Sequence, residues 1–313
     1  MNQKTPPSAL GTSILKKVSR SFYLSLRLLP AAMREAAGLG YLLARSSDTL
    51  ADTAEVATAL RLQQLDALAQ AISQAQPFTL DPTLLQACPS AEKDLLETID
   101  DQILWLGQLD ASSQALIREV VEIIISGQRL DLLRFDNASE KRRISLENDA
   151  TLLDYCHRVA GCVGLFWTRL GYHSAGSEFS EEKSSTMEAW GQQLGCGLQL
   201  VNILRDRPED IRNGRFYLPG TADMENEQDM LHAQDRWIAL ARQYVDTGLR
   251  YASALKDRRT RCATVLPALL AIETLDLLEK ATWSRLQQRV KISKTTVFRC
   301  LAEAWLYPYR PEH

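Results

Sequence analysis

Two stretches of this chain place acidic side chains at the spacing of one face of a helix. The first stripe consists of Tyr41, Arg45, Asp48 and Asp52. The second stripe consists of Gln199, Asn202, Asp206 and Asp210. Carboxylate oxygens suit Mg²⁺, which proteins commonly hold with one or two carboxylates together with substrate phosphates. The two stripes therefore favour magnesium chemistry on a polyanionic substrate.

A solvated acidic face is the alternative explanation for either stripe. It explains the second stripe less well, because Gln199 and Asn202 stand among the apolar residues Leu198, Leu200 and Ile203. Two such faces in one chain also weaken the alternative, since four carboxylates brought together would repel one another without cations between them.

A proline interrupts the second stripe. Pro208 lies between Asp206 and Asp210, and a proline within a helix removes one backbone hydrogen bond and costs about 3 kcal/mol. We therefore expect the helix to kink or end near Pro208, which places Asp210 less firmly than Asp206.

Composition and charge exclude several classes of protein. The chain has 313 residues, with 36 Lys and Arg against 39 Asp and Glu, and its formal net charge is −3. This balance argues against a nucleic-acid-binding protein with a basic surface, and a hydrophobic content of 45% argues against disorder. Six scattered cysteines without a C-x-x-C pair indicate reduced thiols, which favours a cytoplasmic location.

We predict neither a signal peptide nor a membrane-spanning helix. The N-terminal residues lack an uninterrupted apolar region, and the most apolar stretch, 263–272, is about half the length of roughly 20 residues that a bilayer requires. Any membrane contact is therefore expected to be peripheral, at the inner face of the membrane.

The periodicity of apolar residues predicts an all-α fold, because they recur at every third and fourth position and alternating β-branched runs are nearly absent. The predicted helices span residues 11–29, 32–52, 56–75, 91–108, 111–134, 150–170, 181–207, 233–255, 260–287 and 293–305. The predicted loops span residues 76–90, 135–147, 173–185 and 213–229. No shift in composition divides the chain, so we expect one domain over residues 1–313.

Six segments of the chain resemble those of the head-to-head prenyl synthases, the squalene/phytoene synthase family. They are SRSF (19–22), DTLAD (48–52), YCHRVAGCVG (155–164), NILRDRPED (202–210), GRFYLP (214–219) and RVKISK (289–294). Each segment alone is weak, but the set in this order spans nearly the whole chain and is specific. The resemblance implies a single-domain, all-α isoprenoid-synthase bundle, with the aspartate motifs on facing helices around a central cavity.

The resemblance also implies a role for individual residues. The implied Mg²⁺ ligands are Asp48, Asp52, Asp206 and Asp210. The implied contacts to the prenyl diphosphates are Ser19, Arg20, Ser21, Phe22, Tyr41, Gln199, Asn202, Arg215 and Tyr217. Arg45 and Arg205 are implied as catalytic guanidinium forks for diphosphate oxygens, and Tyr155 as the residue that handles a proton near the departing diphosphate.

Ordinary structural roles remain open for several of these residues. Each arginine could form an ion pair with a neighbouring aspartate, and Ser19 could cap a helix. Tyr155 could simply line a packing surface, and its usual pKa of about 10 makes it a poor base unless its surroundings shift it. Gly161 and Gly164 could make room for prenyl tails or allow close helix packing.

The implied reaction is the Mg²⁺-dependent joining of two farnesyl diphosphates through presqualene diphosphate. CHRVAG, LPALLAIETLDLL and RVKISK resemble the squalene-forming members, so NADPH is the expected reductant and squalene the expected product. Lys291 and Lys294 are then the implied NADPH contacts, although two lysines at a loop–helix junction are often only solvated. No G-x-G-x-x-G motif accompanies them. The alternatives are presqualene diphosphate, dehydrosqualene or phytoene formed without reduction and, more remotely, a non-catalytic helical scaffold.

Overall fold

The structure, a computed structural model, describes residues 10–19, 22–219 and 227–310, and for Phe22 only the backbone. These residues group into two compact units. Unit 1 comprises Met1–Leu133 and Arg169–Gly176, and unit 2 comprises Arg134–Thr168 and Ser177–His313. Nearly all regular structure in the described ranges is helical, as the periodicity predicted. A single domain over residues 1–313 stays a prediction.

Unit 1 contains the helix that carries the first stripe, α3. The elements in order are a π-helical turn (Leu10–Ile14), α1 (Leu15–Ser19), α2 (Phe22–Leu28), α3 (Ala31–Asp52), α4 (Thr58–Gln74), α5 (Pro82–Ala87), α6 (Ser90–Leu96), α7 (Ile99–Leu106) and α8 (Ala111–Arg134). Helix α3 buries Leu39, Leu42, Leu43 and Leu50 completely. It packs against α4, α6 and α7, so a buried apolar face fixes the orientation of the stripe.

Unit 2 is arranged around α11, the helix that carries the second stripe. The elements in order are β1 (Ile144–Ser145), α9 (Asp149–Cys156), a π-helical turn (His157–Gly161), α10 (Cys162–Ala175), a 3₁₀ turn (Gly176–Glu178), α11 (Ser184–Arg212), β2 (Arg215–Phe216), α12 (Glu227–Ser253), α13 (Arg258–Glu279), α14 (Trp283–Leu286) and α15 (Lys294–Leu306). Residues from Arg169 to Gly176 belong to unit 1. Helix α11 packs against α9, α12 and α13.

Glycines bring α11 into backbone contact with the chain segment before it. A Cβ atom on Gly164 would lie 1.8 Å from the carbonyl oxygen of Gly191, and one on Gly195 would lie 2.2 Å from that of Ala160. Both distances are far shorter than any permitted contact, so only glycine fits. Close helix packing is therefore the role that the structure shows for Gly164. A Cβ on Gly161 would similarly lie 2.7 Å from the Cys196 sulfur.

Several predicted boundaries are wrong. The predicted helix 11–29 is divided into a π-helical turn, α1 and α2, and the predicted helix 91–108 is divided into α6 and α7. The predicted loop 76–90 contains α5, whose start is marked by Asp81, because its side chain accepts a hydrogen bond from the Thr83 amide at 2.8 Å. Strands β1 and β2, which form a two-stranded parallel pair, also lie where loops were predicted.

The predicted end of the second-stripe helix at Pro208 is wrong. Helix α11 continues through Pro208 to Arg212, and Pro208 is buried within it. Packing of α11 against neighbouring helices offsets the missing backbone hydrogen bond, which a local sequence pattern cannot reveal. Asp210 therefore stays on the same helix as the other residues of the second stripe.

Two exclusions from the sequence agree with the structure. All six cysteines are free, and five of them are buried. In the ranges that the structure describes, no helix has the length and apolar character needed to cross a bilayer.

Candidate functional site

The first stripe is organised by Arg45. Its Nη1 donates a short hydrogen bond to Asp48, and its Nη2 donates to Glu92 Oε1 at 3.3 Å. Burial opposes the charge of Arg45, but Asp48, Tyr41 and Asp52 together outweigh burial, so the pKa of Arg45 is raised. The Nε atom of Arg45 is buried without an acceptor among the described residues. Arg45 therefore keeps one donor that an incoming oxygen could use.

Asp48 is partly exposed, with 42% of its side chain accessible, although protein atoms crowd its carboxyl. Desolvation outweighs both the charge of Arg45 and its hydrogen bond, and so raises the pKa of Asp48. A metal ion beside this carboxyl would lower the pKa again, because a divalent cation favours the charged form. Asp52, four residues further along, shares the last turns of α3. The chemistry of this pair therefore fits a hard cation.

The Ser19–Phe22 segment lies partly outside the described residues. Arg20 and Ser21 are not described, and of Phe22 only the backbone is. Ser19 is 3% exposed at the C-terminal end of α1, and its hydroxyl donates to the carbonyl of Leu15. It is therefore not an N-terminal cap.

Tyr41 joins α3 to α1. Its hydroxyl donates to the carbonyl of Val18, the residue before Ser19, at 3.2 Å. A shared role of Tyr41 and Ser19 in substrate binding stays a prediction.

The second stripe is organised around Asp206, which binds two guanidinium groups. Arg205 donates from Nε at 2.9 Å and from Nη2 at 2.6 Å, in a bidentate arrangement. Arg289 Nε lies 2.7 Å from Asp206 Oδ1. Asn202 donates to Gln199 at 3.3 Å, so these two amides also lie together.

Arg289 was missed in the sequence interpretation. It is the first residue of RVKISK, a segment in which the family resemblance implies a role only for Lys291 and Lys294. No local pattern links it to Asp206, because 83 positions separate them in the chain. The signal available was its place in a segment that already carried the family resemblance.

A third arginine near the second stripe, Arg207 on α11, has no carboxylate partner among the described residues. Arg207 is 4% exposed, and its Nη1 has no hydrogen-bond partner in the described part of the chain. Its guanidinium carbon lies 5.6 Å from the centre of the Trp283 ring on α14. Burial lowers the pKa of Arg207 to about 10. Positive charge is therefore in excess around the second stripe.

Three predicted site residues meet in an aromatic cluster of unit 2. The rings of Tyr155 and Tyr217 stack with centres 5.2 Å apart, and Tyr217 lies 5.1 Å from Phe135. Arg215, which β2 presents, has its guanidinium carbon 5.9 Å from the centre of the Phe135 ring. Phe135 was not predicted, and it directly follows α8 with no motif of its own. The stacking also fits the alternative in which Tyr155 lines a packing surface.

Lys291 and Lys294 are both exposed. Lys291 lies in the segment that joins α14 to α15. Lys294 is the first residue of α15, and Ser293 caps this helix by accepting from the Thr296 amide at 3.0 Å. Arg289, two positions before Lys291, contacts Asp206 at 2.7 Å. The lysine segment therefore begins next to the second stripe.

A preformed metal site does not occur in the described ranges, where no three His, Cys, Asp or Glu side chains come together around a point that could hold an ion. Mg²⁺ needs only one or two carboxylates when substrate phosphates supply other ligands. Asp48 and Asp206 already attract guanidinium cations, and each has a second aspartate four residues later. The donor set therefore suits magnesium bound together with a diphosphate.

A cavity of about 980 Å³ in unit 1 lies elsewhere. It is lined by residues of α6, α7 and the segment before α5, including Phe78 and Leu96, and by no residue of the first stripe. We assign it no role in the chemistry.

Comparison with known proteins agrees with the resemblance. A sequence model described as squalene/phytoene synthase matches residues 15–296. The 15-cis-phytoene synthase of Synechocystis sp. is 29% identical, over 94% of this chain and 82% of its own length. The squalene synthase of Saccharomyces cerevisiae is 27% identical, over 88% of this chain and 63% of its own length. The fold resembles the solved structure of TcSQS with the ligand E5700, with a TM-score of 0.79 and 24% identity over 95% of this chain and 86% of that chain.

Proposed function

Because this chain belongs to the squalene/phytoene synthase family, we propose that it joins two farnesyl diphosphates head to head, through presqualene diphosphate, and reduces the product to squalene with NADPH. Members of this family are prenyltransferases that act on prenyl diphosphates. The observation that carries the proposal is the repeated pairing of an arginine with the leading aspartate of each stripe.

Each stripe combines what a departing diphosphate requires. Asp48 and Asp52, and likewise Asp206 and Asp210, are the proposed Mg²⁺ ligands. Bound there, the ions would neutralise charge that develops on the leaving diphosphate. Arg45 and Arg205 are the proposed forks for the remaining oxygens, because a planar guanidinium binds such groups through two parallel hydrogen bonds. Gln199 and Asn202 add amide donors beside the second stripe.

Loss of diphosphate leaves an allylic cation on the first substrate, and a double bond of the second substrate attacks it. Proton loss then closes a cyclopropane ring. The departed diphosphate is the proposed acceptor of this proton, and the hydroxyl of Tyr155, whose ring is held against Tyr217 at 5.2 Å, is proposed to pass it on. The aromatic faces of Phe135, Tyr155 and Tyr217 can stabilise a nearby cation and exclude water that would quench it. Tyr41, Arg215 and the Ser19–Phe22 segment are the further proposed substrate contacts.

The reductive step is proposed from RVKISK. Arg289 of this segment contacts Asp206, and the exposed Lys291 and Lys294 follow within five residues. Their ammonium groups could bind the phosphates of NADPH beside the second stripe. Loss of the remaining diphosphate from presqualene diphosphate leaves a second cation, which rearranges. NADPH, when bound, would supply the hydride that completes squalene.

Phytoene synthesis from geranylgeranyl diphosphate is the second candidate. It is favoured by the 29% identity with the Synechocystis phytoene synthase, which matches a larger part of this chain than the yeast squalene synthase does. This reaction uses the same stripes but ends in proton loss instead of reduction. Presqualene diphosphate and dehydrosqualene are the corresponding non-reduced products from farnesyl diphosphate.

Product analysis separates these candidates. The purified protein is incubated with Mg²⁺ and either farnesyl or geranylgeranyl diphosphate, with and without NADPH, and the organic-soluble products are identified by mass. Squalene formed only with NADPH supports the proposal. Dehydrosqualene, presqualene alcohol after phosphatase treatment, or phytoene selects a non-reducing member. Failure to consume either substrate supports the helical scaffold.

We also propose a cytoplasmic location with peripheral contact to the inner face of a membrane. The substrates are water-soluble diphosphates, whereas the product is a hydrocarbon that partitions into lipid. An enzyme at the membrane surface can reach both.

A further inference from the structure

A row of exposed apolar side chains runs along α15 in unit 2. Phe298 is 70% exposed and Leu306 is 74% exposed, although large apolar side chains are normally buried. Trp305, 42% exposed, belongs to the same row, because positions i, i+7 and i+8 share a helix face. We call these three residues the α15 surface. A contiguous exposed apolar face of this kind marks a site of interaction.

The other face of α15 fixes the helix in place. Cys300 and Ala304 are buried where α15 packs against α13, and Ser293 caps the helix start. A helix of 13 residues would be marginal on its own, so this packing is what presents the α15 surface. Glu303, the acidic residue of α15, lies about 140° around the helix from Phe298 and about 60° from Leu306, so one carboxylate borders the Leu306 end of the row.

Arginines border the α15 surface. The guanidinium carbon of Arg258 lies 4.4 Å from the centre of the Trp305 ring, and its Nε donates to the Trp305 carbonyl at 2.9 Å. Arg261 lies over the ring of Tyr309 at 5.6 Å but is only 8% exposed, so it supports that ring from within the protein. Arg258, which is exposed, thus forms a polar edge beside the apolar row.

The charge of this part of the chain is opposite to that of the whole. Residues 285–310 contain six Lys and Arg and one Glu, whereas the chain as a whole has a net charge of −3. Arg289 and Arg299 pair with Asp206 and Glu273 outside this segment, which leaves four cations against one Glu. The α15 surface therefore lies in a positive segment of a negatively charged protein. Its charge complements an anionic surface.

We propose that the α15 surface docks on a lipid bilayer that contains anionic lipids. Phe298 and Leu306 insert into the acyl boundary, Trp305 and Tyr309 lie at the level of the headgroups, and the exposed Arg258 contacts a lipid phosphate. An amphipathic helix with aromatic and basic residues binds a membrane interface in this way. Docking itself does not depend on the proposed function, but its benefit does, because it would give the hydrocarbon product direct access to lipid.

Sedimentation with vesicles tests the proposal. The full-length protein, without substrate, is mixed with vesicles of phosphatidylcholine alone or of equal parts phosphatidylcholine and phosphatidylglycerol. We expect binding to the mixed vesicles that weakens with added salt and is weaker on the neutral ones. Phe298→Ser combined with Leu306→Ser should weaken binding about tenfold or more. Leu104→Ser, at a leucine that is 46% exposed on α7, should bind as the unchanged protein does.

Three outcomes would overturn the proposal. The first is that the unchanged protein does not sediment with anionic vesicles. The second is that the double variant, shown by circular dichroism and urea unfolding to be folded, binds as well as the unchanged protein. The third is that light scattering shows a dimer that the double variant abolishes while neither protein binds vesicles, which would make this face a self-contact. Because vesicle binding is measured without substrate, it can succeed or fail independently of turnover.

Discussion

The two stripes have similar spacing in the sequence but different electrostatic surroundings. On α3, Arg45 lies between the carboxylates of Asp48 and Glu92, so negative groups outnumber positive ones. On α11, Asp206 lies between the guanidiniums of Arg205 and Arg289, so positive groups outnumber negative ones. The comparison teaches that a motif fixes which ligands are available but not their charge balance, which neighbouring segments decide.

The difference extends to the buried arginines. Asp48 raises the pKa of Arg45, whereas burial lowers the pKa of Arg207 to about 10. The backbone packing differs too. A Cβ on Gly38 of α3 would lie 3.7 Å from Leu15 Cδ2, an ordinary contact, while a Cβ on Gly164 would overlap the backbone of α11. The second stripe therefore sits on a helix whose position is more tightly constrained.

Removing the leading aspartate of either stripe should have the largest effect. We expect Asp48→Asn and Asp206→Asn each to lower turnover roughly 100- to 1000-fold. Each removes a carboxylate that would bind the metal ion and, through it, the diphosphate. Their effects on folding should differ. Asp206→Asn leaves two guanidiniums without their carboxylate, whereas Asp48→Asn removes the more exposed carboxyl and leaves Arg45 paired with Glu92.

Steady-state kinetics and urea unfolding of the same two preparations check this prediction. The account requires both variants to be slow but only Asp206→Asn to be clearly less stable. If both variants turned over as fast as the unchanged protein, the two stripes would have no role in the reaction.

Glycine substitutions should give the next largest effect and should affect the packing of α3 and α11 differently. Gly164→Ala is expected to lower the free energy of unfolding by about 3 kcal/mol or more, or to prevent folding, because its Cβ would lie 1.8 Å from the Gly191 carbonyl oxygen. Gly38→Ala is the matched control on α3. The higher helix propensity of alanine should raise the free energy of unfolding of this variant by up to about 1 kcal/mol. Thermal unfolding measures both. Similar losses in the two variants would show that α11 is not the more constrained helix.

Arginine substitutions sharpen the electrostatic contrast. Arg207→Met is expected to raise the free energy of unfolding by about 1 kcal/mol, because it removes a buried charge that has no carboxylate partner. Arg45→Met should lower it by about 1 to 2 kcal/mol, because Asp48 and Glu92 lose their shared donor.

The pH dependence gives a further check. The folded-state pKa of Arg207 is lowered to about 10, so its charged form costs stability at every pH below that value. The increase in the free energy of unfolding of Arg207→Met should therefore be the same at about pH 6 and pH 9, and urea titrations at both pH values would measure it. A loss of stability would mean that Arg207 has an anionic partner in solution.

The smallest effect is expected at Arg289. Arg289→Gln removes one of the two cations that contact Asp206, so Mn²⁺ binding without substrate should tighten roughly two- to fivefold, as expected for a half-exposed ion pair. Titration calorimetry measures the affinity. Arg236→Gln is the matched control, because it removes an exposed pair with Asp149 at 2.7 Å. Unchanged or weaker metal binding in Arg289→Gln alone would show that Arg289 does not compete with a cation.

The helices and the two stripes could be predicted because they depend on local periodicity. Tyr41 to Asp52 and Gln199 to Asp210 each follow from a spacing within one helix. A local pattern also marks the start of α5, because Asp81 caps this helix directly before Pro82. The predicted loop 76–90 did not take this pattern into account.

Contacts between distant segments could not be predicted in this way. Arg289 on Asp206, Phe135 on Tyr217 and Trp283 on Arg207 join residues about 80 positions apart. Pro208 was misjudged for the same reason, because packing partners remote in the chain keep α11 helical. Local propensity is routinely overridden by tertiary packing.

Release of inorganic diphosphate tests the central claim most directly, namely that both stripes promote the departure of diphosphate from a prenyl substrate. Farnesyl and geranylgeranyl diphosphate are each incubated with the protein, with Mg²⁺ or with a chelator, alongside Asp48→Asn and Asp206→Asn. The account predicts release that requires Mg²⁺ and is lost in both variants. Release that persists with the chelator, or in either folded variant, would contradict it.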